Sequence, residues 1–208
     1  MPTDSPDPAR LMRFILELRQ TGITDARVLS AMERTPRLHY APEHLEALAM
    51  DDLSLPLAHG QMMTKPSIVG RMLMALGAEA NETILEIGTG SGYQAAALGW
   101  LARKVVTLDR YEDLIATARE SFGLARVGNV FAHVGDGAKG WAEDSPYDRI
   151  IINADAAEVP PDLLSQLKPD GVLLAPVAGR LKRFKGEVRE DLGPIDFAPL
   201  AEGIGETD

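Results

Sequence analysis

The sequence predicts an α/β fold with a doubly wound, mostly parallel sheet, and two observations support that prediction. From residue 65 onward, short and nearly continuous apolar stretches alternate with amphipathic helical patterns, as expected when helices cover both faces of a parallel sheet. Residues 83–93 (TILEIGTGSGY) join one such stretch to a helix through a turn that has glycine at every second position. A chain of 208 residues can form one domain of this kind.

The first 64 residues are predicted to form a helical cap that ends in a loop. Apolar residues at helical spacing indicate helices over 9–19 and 24–34, and a third helix is expected over 42–49. This part is too short for a large core of its own. We therefore expect residues 1–208 to be a single domain, with the cap at 1–64 and the α/β core at 65–208.

Helices and strands are predicted to alternate along the α/β core. The expected helices cover 66–76, 93–102, 112–122 and 161–167, and the expected strands cover 83–87, 104–108, 129–134, 149–152 and 172–177. Residues 168–171 (KPDG) are expected to turn the chain into the last of these strands. No helical pattern follows Gly171, so we expect a C-terminal antiparallel hairpin that carries the basic residues 180–185 on a solvated part.

Composition argues against several classes of function. The formal net charge is −10, whereas nucleic-acid and anionic-membrane surfaces need clustered Lys and Arg. The chain has no cysteine, which excludes disulfides and a cysteine nucleophile. His39, His44 and His133 lack metal-ligand spacing, so no metal site is expected. No apolar run reaches membrane-spanning length and no secretory signal is visible, so a cytoplasmic location is the default expectation.

The glycine-rich turn indicates a ligand site. Gly88, Gly90 and Gly92 remove side chains where a backbone must turn sharply and approach a ligand closely. The G-x-G-x-G spacing is tighter than the G-x-G-x-x-G of dinucleotide sites, which place a pyrophosphate at a helix N-terminus. With Glu86 just before it, the turn suits a nucleoside with a cationic tail, and S-adenosylmethionine is the candidate. The alternative is an ordinary strand-to-helix turn that is rich in glycine.

Polar side chains at four successive strand ends extend this prediction, because ligands of open parallel sheets bind outside the carboxyl ends of the strands. Glu86 precedes the glycine turn, and Asp109 could accept hydrogen bonds from two ribose hydroxyls. Asp136 could accept one from an adenine amino group, and Asn153 with Asp155 should face the reacting end of the ligand. Each acid alone could be a helix cap or a surface carboxylate, but the set predicts an adenosine pocket.

Several segments resemble the protein-L-isoaspartate O-methyltransferase family. Residues 60–66 (GQMMTKP) follow the family pattern G-Q-T-I-S-x-P, and residues 85–97 (LEIGTGSGYQAAA) agree with the family almost letter for letter. Shorter likenesses lie at 134–137 (VGDG), 167–171 (LKPDG) and 197–200 (FAPL). The first of these segments is more specific than the glycine turn, which all S-adenosylmethionine-dependent folds of this type share.

The resemblance implies a sheet of the S-adenosylmethionine-dependent methyltransferase type. It also implies methyl transfer from S-adenosylmethionine to the α-carboxylate of L-isoaspartyl residues in damaged proteins and peptides, which is a repair reaction. Thr64 takes the place of the active-site serine. The implied cofactor-binding residues are Glu86, Gly88, Thr89, Gly90, Asp109, Asp136 and Gly137. The acceptor is expected to meet His59, Gln61, Asn153 and Asp155, and the enzyme is expected to be a monomer.

Three departures from the family pattern leave the acceptor open. Met62 and Met63 replace Thr-Ile, Thr64 replaces the serine, and Asp155 stands in a run that is small and apolar in the family. A carboxylate would repel an anionic acceptor unless Asp155 turns outward, is protonated or meets a cation. It could instead bind an amine or peptide N–H, act as a base for a less acidic acceptor, or cap a helix. The alternatives are a relative that methylates another peptide or small molecule, and a protein that binds the cofactor without turnover.

Overall fold

A computed structural model gives the structure of residues 7–206. The helices are α1 (Pro8–Gln20), α2 (Ala26–Glu33), α3 (Pro66–Leu76), α4 (Tyr93–Gly99), α5 (Glu112–Leu124) and α6 (Pro161–Ser165). The strands are β1 (Leu55–Pro56), β2 (Met62–Met63), β3 (Thr83–Ile87), β4 (Lys104–Asp109), β5 (Val130–Val134), β6 (Tyr147–Ile152), β7 (Leu167–Val177), β8 (Arg180–Lys185) and β9 (Val188–Pro194). Short 3₁₀ turns cover Arg37–Tyr40, Glu43–Leu48, Ala58–Gly60 and Ala142–Asp144.

Seven strands form the main sheet, in the order β5-β4-β3-β6-β7-β8-β9. Neighbours from β5 to β7 run parallel, whereas β7, β8 and β9 pair antiparallel. The chain moves outward from β3 through β4 to β5 and then crosses to β6 on the other side of β3. The carboxyl end of β3 is therefore the switch point, where parallel sheets bind ligands. The predicted doubly wound sheet and the antiparallel C-terminal strands are both confirmed.

The N-terminal helices share the core of the sheet. Helices α1 and α2 pack on α3, and α2 also contacts α4. Phe14, Leu18 and Met32 from these helices belong to the same buried cluster as Met72 of α3 and Ile84 of β3. A second cluster fills the opposite face of the sheet. Within residues 7–206, no helix combines the length and apolarity that crossing a bilayer requires.

The predicted helix over 42–49 is wrong, because Glu43–Leu48 forms 3₁₀ turns. None of the residues in that segment is buried. An α-helix of this length is marginal unless a full apolar face packs on the core, and in this segment Leu45 is the side chain that packs against the buried cluster.

The predicted turn at 168–171 is also wrong, because these residues lie within β7. Tyr147 pairs with Leu167 and Arg149 with Val172, so residues 168–171 bulge opposite Asp148 without breaking the strand. At Gly171, a Cβ would lie 3.0 Å from the Asp148 carbonyl oxygen and 2.8 Å from the Leu167 side chain. The glycine therefore serves close backbone approach at a bulge, which sequence alone does not distinguish from a turn.

Candidate active site

A cavity of about 810 Å³ lies at the carboxyl ends of β3 and β4. One side, here called the glycine-loop wall, is lined by Gly88, Thr89, Gly90, Ser91, Tyr93, Gln94, Asp109 and Asn153. The other side, here called the Thr64 wall, is lined by Ser54, residues 60–65, Ile68, Val69 and the C-terminal segment 194–198. The volume is in the range of small-molecule sites.

The backbone of the glycine loop (residues 88–92) adopts conformations that favour glycine. The φ angle is 91° at Gly88, 51° at Gly90 and 82° at Gly92. A Cβ at Gly88 would lie 3.1 Å from Cβ of Asn153, and a Cβ at Gly92 would lie 2.8 Å from the ring of Phe122. Both the turn and its packing against α5 therefore depend on the missing side chains.

Asp109 lines the cavity at the end of β4. One carboxylate oxygen accepts a hydrogen bond from the Gly90 N–H at 2.8 Å, and the other accepts from the Tyr111 N–H at 3.2 Å. Burial raises the pKa of the Asp109 carboxyl above its ordinary value, although these N–H groups oppose the shift. Each carboxylate oxygen has further lone pairs, so Asp109 can also accept from two hydroxyl groups of a ligand.

Glu86 is fully buried behind the glycine loop and does not line the cavity. Its carboxylate accepts hydrogen bonds from the Thr107 hydroxyl at 2.6 Å and from Asn153 Nδ2 at 3.3 Å. Burial raises the pKa of Glu86 to about 7, against the lowering effect of these bonds. The Asn153 Nδ2 group also donates to the Gly88 carbonyl at 3.0 Å, and its Oδ1 accepts from Gln94 at 2.8 Å. Glu86 therefore acts on the loop through Asn153.

Asp136 and Gly137 follow β5 and do not line the cavity. The Asp136 carboxylate accepts from the Ala138 N–H at 3.0 Å, which closes a local turn. A Cβ at Gly137 would lie 2.5 Å from Cγ2 of Ile87. The glycine thus lets this turn pack against the end of β3, next to the glycine loop.

Thr64 lies between β2 and α3 and lines the cavity. Its carbonyl accepts a hydrogen bond from Arg37 at 3.3 Å, while its hydroxyl bonds to no other described residue. Lys65 is the next lining residue, and its Nζ lies 3.9 Å from the Asp52 carboxylate. The Thr64 wall therefore presents a free hydroxyl beside a cation.

His59 and Gln61 hold the loop that leads to Thr64. His59 has a φ of 55°, its ring stacks on Tyr111 at 4.2 Å, and its Nε2 lies 2.7 Å from the Asp113 carboxylate. The bond from His59 keeps the pKa of Asp113 below its ordinary value. Gln61 lines the cavity and its side-chain amide donates to the His59 carbonyl at 3.2 Å. His59 itself lies outside the lining and ties the loop to the start of α5.

Asp155 lies outside the cavity lining. Both of its carboxylate oxygens accept from the Gly179 N–H, at 3.1 and 3.2 Å. Its backbone N–H donates to the Ala198 carbonyl at 2.8 Å, and its carbonyl accepts from the Leu200 N–H at 2.7 Å. Asp155 thus anchors the segment that covers the cavity, while its carboxylate lies against Gly179, outside the cavity lining.

Some lining residues were not predicted as site residues from the sequence. The segment 194–198 overlaps the FAPL likeness, yet nothing in its composition places it over the cavity. Gln94 lies in the first turn of α4, directly after the glycine loop, so its position could have suggested it. Ser54 carries no pattern of its own, whereas Lys65 and Ser91 stand inside the two segments that resemble the family, so their positions could have suggested them.

The chain has the fold of the S-adenosylmethionine-dependent methyltransferase type. A solved structure named protein-L-isoaspartate O-methyltransferase superposes with a TM-score of 0.82 at 22% identity, covering 94% of this chain and 67% of that one. A protein-L-isoaspartate O-methyltransferase structure from Plasmodium falciparum, in complex with S-adenosyl-L-homocysteine, has a TM-score of 0.79 at 20% identity and covers 91% of this chain and 97% of that one. At these identities the likeness establishes the fold.

The chain belongs to the protein-L-isoaspartate(D-aspartate) O-methyltransferase family, whose model matches residues 10–198. It is 44% identical to the protein-L-isoaspartate O-methyltransferase of Paracoccus denitrificans (strain Pd 1222), over 99% of this chain and 100% of that protein. It is 46% identical to the enzyme of the same name from Azorhizobium caulinodans, over 97% of this chain and 98% of that protein. The resemblance noted in the sequence is confirmed.

The cavity fits S-adenosylmethionine, the cofactor of this family. Gly88 and Gly90 line the cavity without side chains, so a ligand meets backbone at these points of the loop. Asp109 lines the cavity and offers acceptors for hydroxyl groups, and its carboxylate supplies negative potential that would offset a sulfonium cation. The glycine-loop wall is therefore suited to a neutral nucleoside with a positively charged tail.

Proposed function

We propose that this chain transfers the methyl group of S-adenosylmethionine to the α-carboxylate of L-isoaspartyl residues in damaged proteins and peptides, and that Thr64 positions the acceptor. The observation that carries the proposal is that one cavity is lined both by the glycine loop with Asp109 and by Thr64. Cofactor and acceptor can then meet in a single space. The choice of reaction in this proposal rests on the chain's membership of the protein-L-isoaspartate(D-aspartate) O-methyltransferase family.

The reaction demands little acid–base chemistry from the protein. A carboxylate is ionised at neutral pH, so no strong general base is needed. S-adenosylmethionine, when bound, supplies an activated methyl group on a sulfonium sulfur. The residues of this chain therefore act by orientation, which can contribute roughly 7–11 kcal/mol at best.

Thr64 is the residue to which we assign orientation of the acceptor. Its hydroxyl can donate one hydrogen bond to an acceptor oxygen and fix the direction of that oxygen. Its β-branch restricts χ1 and so limits the directions in which the hydroxyl can point. Gln61 and His59 support Thr64 by holding the loop that precedes it.

The cofactor-binding role is assigned first to Gly88, Thr89, Gly90 and Asp109, which line the cavity. Asp136 and Gly137 follow β5, and we assign them to the edge of the adenosine pocket next to the end of that strand. Glu86 is assigned an indirect role, because its carboxylate reaches the loop through Asn153. Asn153 is assigned to positioning the glycine loop, because its side-chain amide already bonds to Glu86, Gly88 and Gln94. Asp155 is assigned to positioning the C-terminal segment, because it lies outside the cavity lining and its main chain bonds to that segment.

The partners in this proposal are isoaspartyl-containing proteins and peptides, with neither nucleic acid nor membrane involved. The net charge of −10 supports that choice, because it disfavours association with polyanions. We further propose that the enzyme works as a monomer, since the chain itself supplies both walls of the cavity, and that it acts in the cytoplasm.

The test is an assay with methyl-labelled S-adenosylmethionine and two peptides that differ in one residue, L-isoaspartyl in one and ordinary L-aspartyl in the other. We expect base-labile methyl ester on the isoaspartyl peptide alone. Label on a small molecule with neither peptide modified would point to a different acceptor. Cofactor binding measured by calorimetry with no transfer to any acceptor would point to a binding protein without turnover.

A further inference from the structure

Arg37 is a fully buried arginine that the reaction described above does not use. Its exposed fraction is 0%, and it lies in the 3₁₀ turn Arg37–Tyr40 of the N-terminal cap. The guanidinium donates to three main-chain carbonyls. Nη1 donates to Ala49 at 2.8 Å, and Nη2 donates to Leu53 at 2.8 Å and to Thr64 at 3.3 Å. Nε has no hydrogen-bond partner among the described residues.

The charge on this guanidinium has no direct counter-ion. No carboxylate within residues 7–206 forms an ion pair with it. Asp51 and Asp52 attract it from farther away, but Asp52 already accepts from the Ser67 N–H and faces Lys65. Burial lowers the pKa of Arg37, yet an arginine still stays charged at neutral pH. Burying a charge is costly without full compensation, so a further anionic partner would stabilise this one.

The position of the guanidinium identifies that partner. Ala49 and Leu53 precede β1 and Thr64 follows β2, so the three carbonyls enclose the loop that builds the Thr64 wall. The bond to the Thr64 carbonyl places the charge directly behind a residue that lines the cavity. The ring of Tyr93, which also lines the cavity, has its centre 5.9 Å from Arg37 Cζ. The positive charge therefore lies one layer of residues behind Thr64 on the acceptor side, and near Tyr93 of the glycine-loop wall.

We propose that Arg37 is a positioning residue that selects an anionic acceptor: it holds Thr64 through main-chain carbonyls, and its buried charge attracts the acceptor carboxylate towards that residue. The inference rests on the proposed function, because it takes the acceptor to be a carboxylate. A charge inside the protein acts across the cavity with little screening by solvent ions, unlike a charge on the surface.

Arg71 also lies behind this wall, where its guanidinium donates to the Pro194 carbonyl, and Lys65 is the cation among the residues that line the cavity on this side. Its side chain is 43% exposed, so added salt screens its attraction for an acceptor. Salt and substitution can therefore separate the effects of Arg37 and Lys65. If Arg37 is responsible, the preference for a carboxylate over a neutral acceptor should persist at high salt. If Lys65 is responsible, that preference should weaken as salt is added.

The experiment measures how strongly the enzyme prefers a charged acceptor. Calorimetry gives the Kd of an L-isoaspartyl peptide and of the same peptide with an α-carboxamide, each with enzyme saturated with S-adenosyl-L-homocysteine so that no turnover occurs. The ratio of the two dissociation constants is the charge preference. The variants are Arg37→Gln, Arg37→Lys and Lys65→Met. Arg119→Gln is the matched control, because Arg119 also donates to a main-chain carbonyl, that of Ala132, and does not line the cavity.

We expect Arg37→Gln to lower the charge preference about tenfold, which corresponds to about 1.4 kcal/mol, with little change in the Kd of S-adenosyl-L-homocysteine. Arg37→Lys should retain most of the preference because it keeps the charge. Arg119→Gln should leave it unchanged. Equal weakening of both peptides by Arg37→Gln, with the ratio intact, would overturn the electrostatic part and leave Arg37 a purely structural residue.

If Arg37→Gln does not fold, the charge preference of the wild type and of Lys65→Met at high salt tests the proposal instead. In both, a preference that survives about 0.5 M salt supports a buried charge, and one that vanishes there overturns the proposal. Failure of the proposed function is a separate outcome, since the wild type would then methylate no isoaspartyl peptide. Failure of the inference leaves that activity in place.

Discussion

Replacing Glu86 by glutamine should make the stability of the protein less dependent on pH. Glu86 is fully buried and accepts hydrogen bonds from Thr107 and Asn153. Glutamine can keep both contacts: its carbonyl accepts from Asn153, and its amide donates to the Thr107 hydroxyl, which can in turn donate to Thr89. The substitution therefore removes a titrating group with little change in packing.

The size of the effect follows from the pKa of Glu86, which burial raises from the ordinary 4.5 to about 7. Between these values the folded protein keeps a proton that the unfolded chain has lost. Stability therefore falls as the pH rises through this window, and it stays low above it. At 1.36 kcal/mol for each pKa unit, ionised Glu86 should lower the free energy of unfolding by about 2 kcal/mol more at about pH 8 than at about pH 5.5.

Urea unfolding of the wild type and of Glu86→Gln at these two pH values tests this reasoning. The difference in unfolding free energy between the two proteins should shift by about 2 kcal/mol in favour of the variant on going to the higher pH. Other titrating groups cancel in that difference. Glu17→Gln, the same substitution on the exposed face of α1, is the matched control. A difference for Glu86→Gln that is the same at both pH values would refute the argument.

Substitutions at Thr64, Asp109 and Gly92 test the site and its scaffold. Thr64→Val, which keeps the shape but removes the hydroxyl, should lower kcat about ten- to hundredfold while Thr64→Ser keeps most activity, with the Kd of S-adenosylmethionine unchanged in both; a parallel loss of cofactor affinity would point to a structural role. Asp109→Asn should weaken cofactor binding by calorimetry about ten- to hundredfold, and unchanged affinity would exclude Asp109 from the ribose position. Gly92→Ala should lower the free energy of unfolding by about 2–4 kcal/mol, because the strain of a left-handed φ and the clash of the new methyl group with Phe122 both destabilise the fold. Gly77→Ala is the control: its φ is 63° but the space around it is open, so the free energy of unfolding should fall by only about 1–2 kcal/mol.

Strand and helix order could be predicted from the sequence because each element has its own local signal. The apolar run 83–87 and the glycines after it identify β3 and the switch point without any distant contact. The family likeness around Thr64 then joins the cap to the cavity. These predictions rest on periodicity and backbone conformation, which short stretches of sequence determine.

The depth and direction of side chains could not be predicted in the same way. Glu86 and Asp109 both lie at strand ends, yet Glu86 is sealed behind Asn153 while Asp109 lines the cavity. Asp155 turns to Gly179, a residue of the β7–β8 connection. The bonds of Arg37 depend on carbonyls distant in the chain, at Ala49 and Thr64. Each of these outcomes depends on contacts between distant segments, which no local pattern encodes.

The two residues of strand β2, Met62 and Met63, differ in how much substitution they can tolerate. Successive side chains of a strand face opposite ways, and here Met62 is 51% exposed while Met63 is 2% exposed and belongs to the core. Both border the cavity. A change in size or polarity at Met62 can therefore retune which peptides enter, at little risk to folding. The same change at Met63 would disturb the packing next to Thr64, the residue that we propose orients the acceptor, so adaptation to new substrates is open at Met62 and closed at Met63.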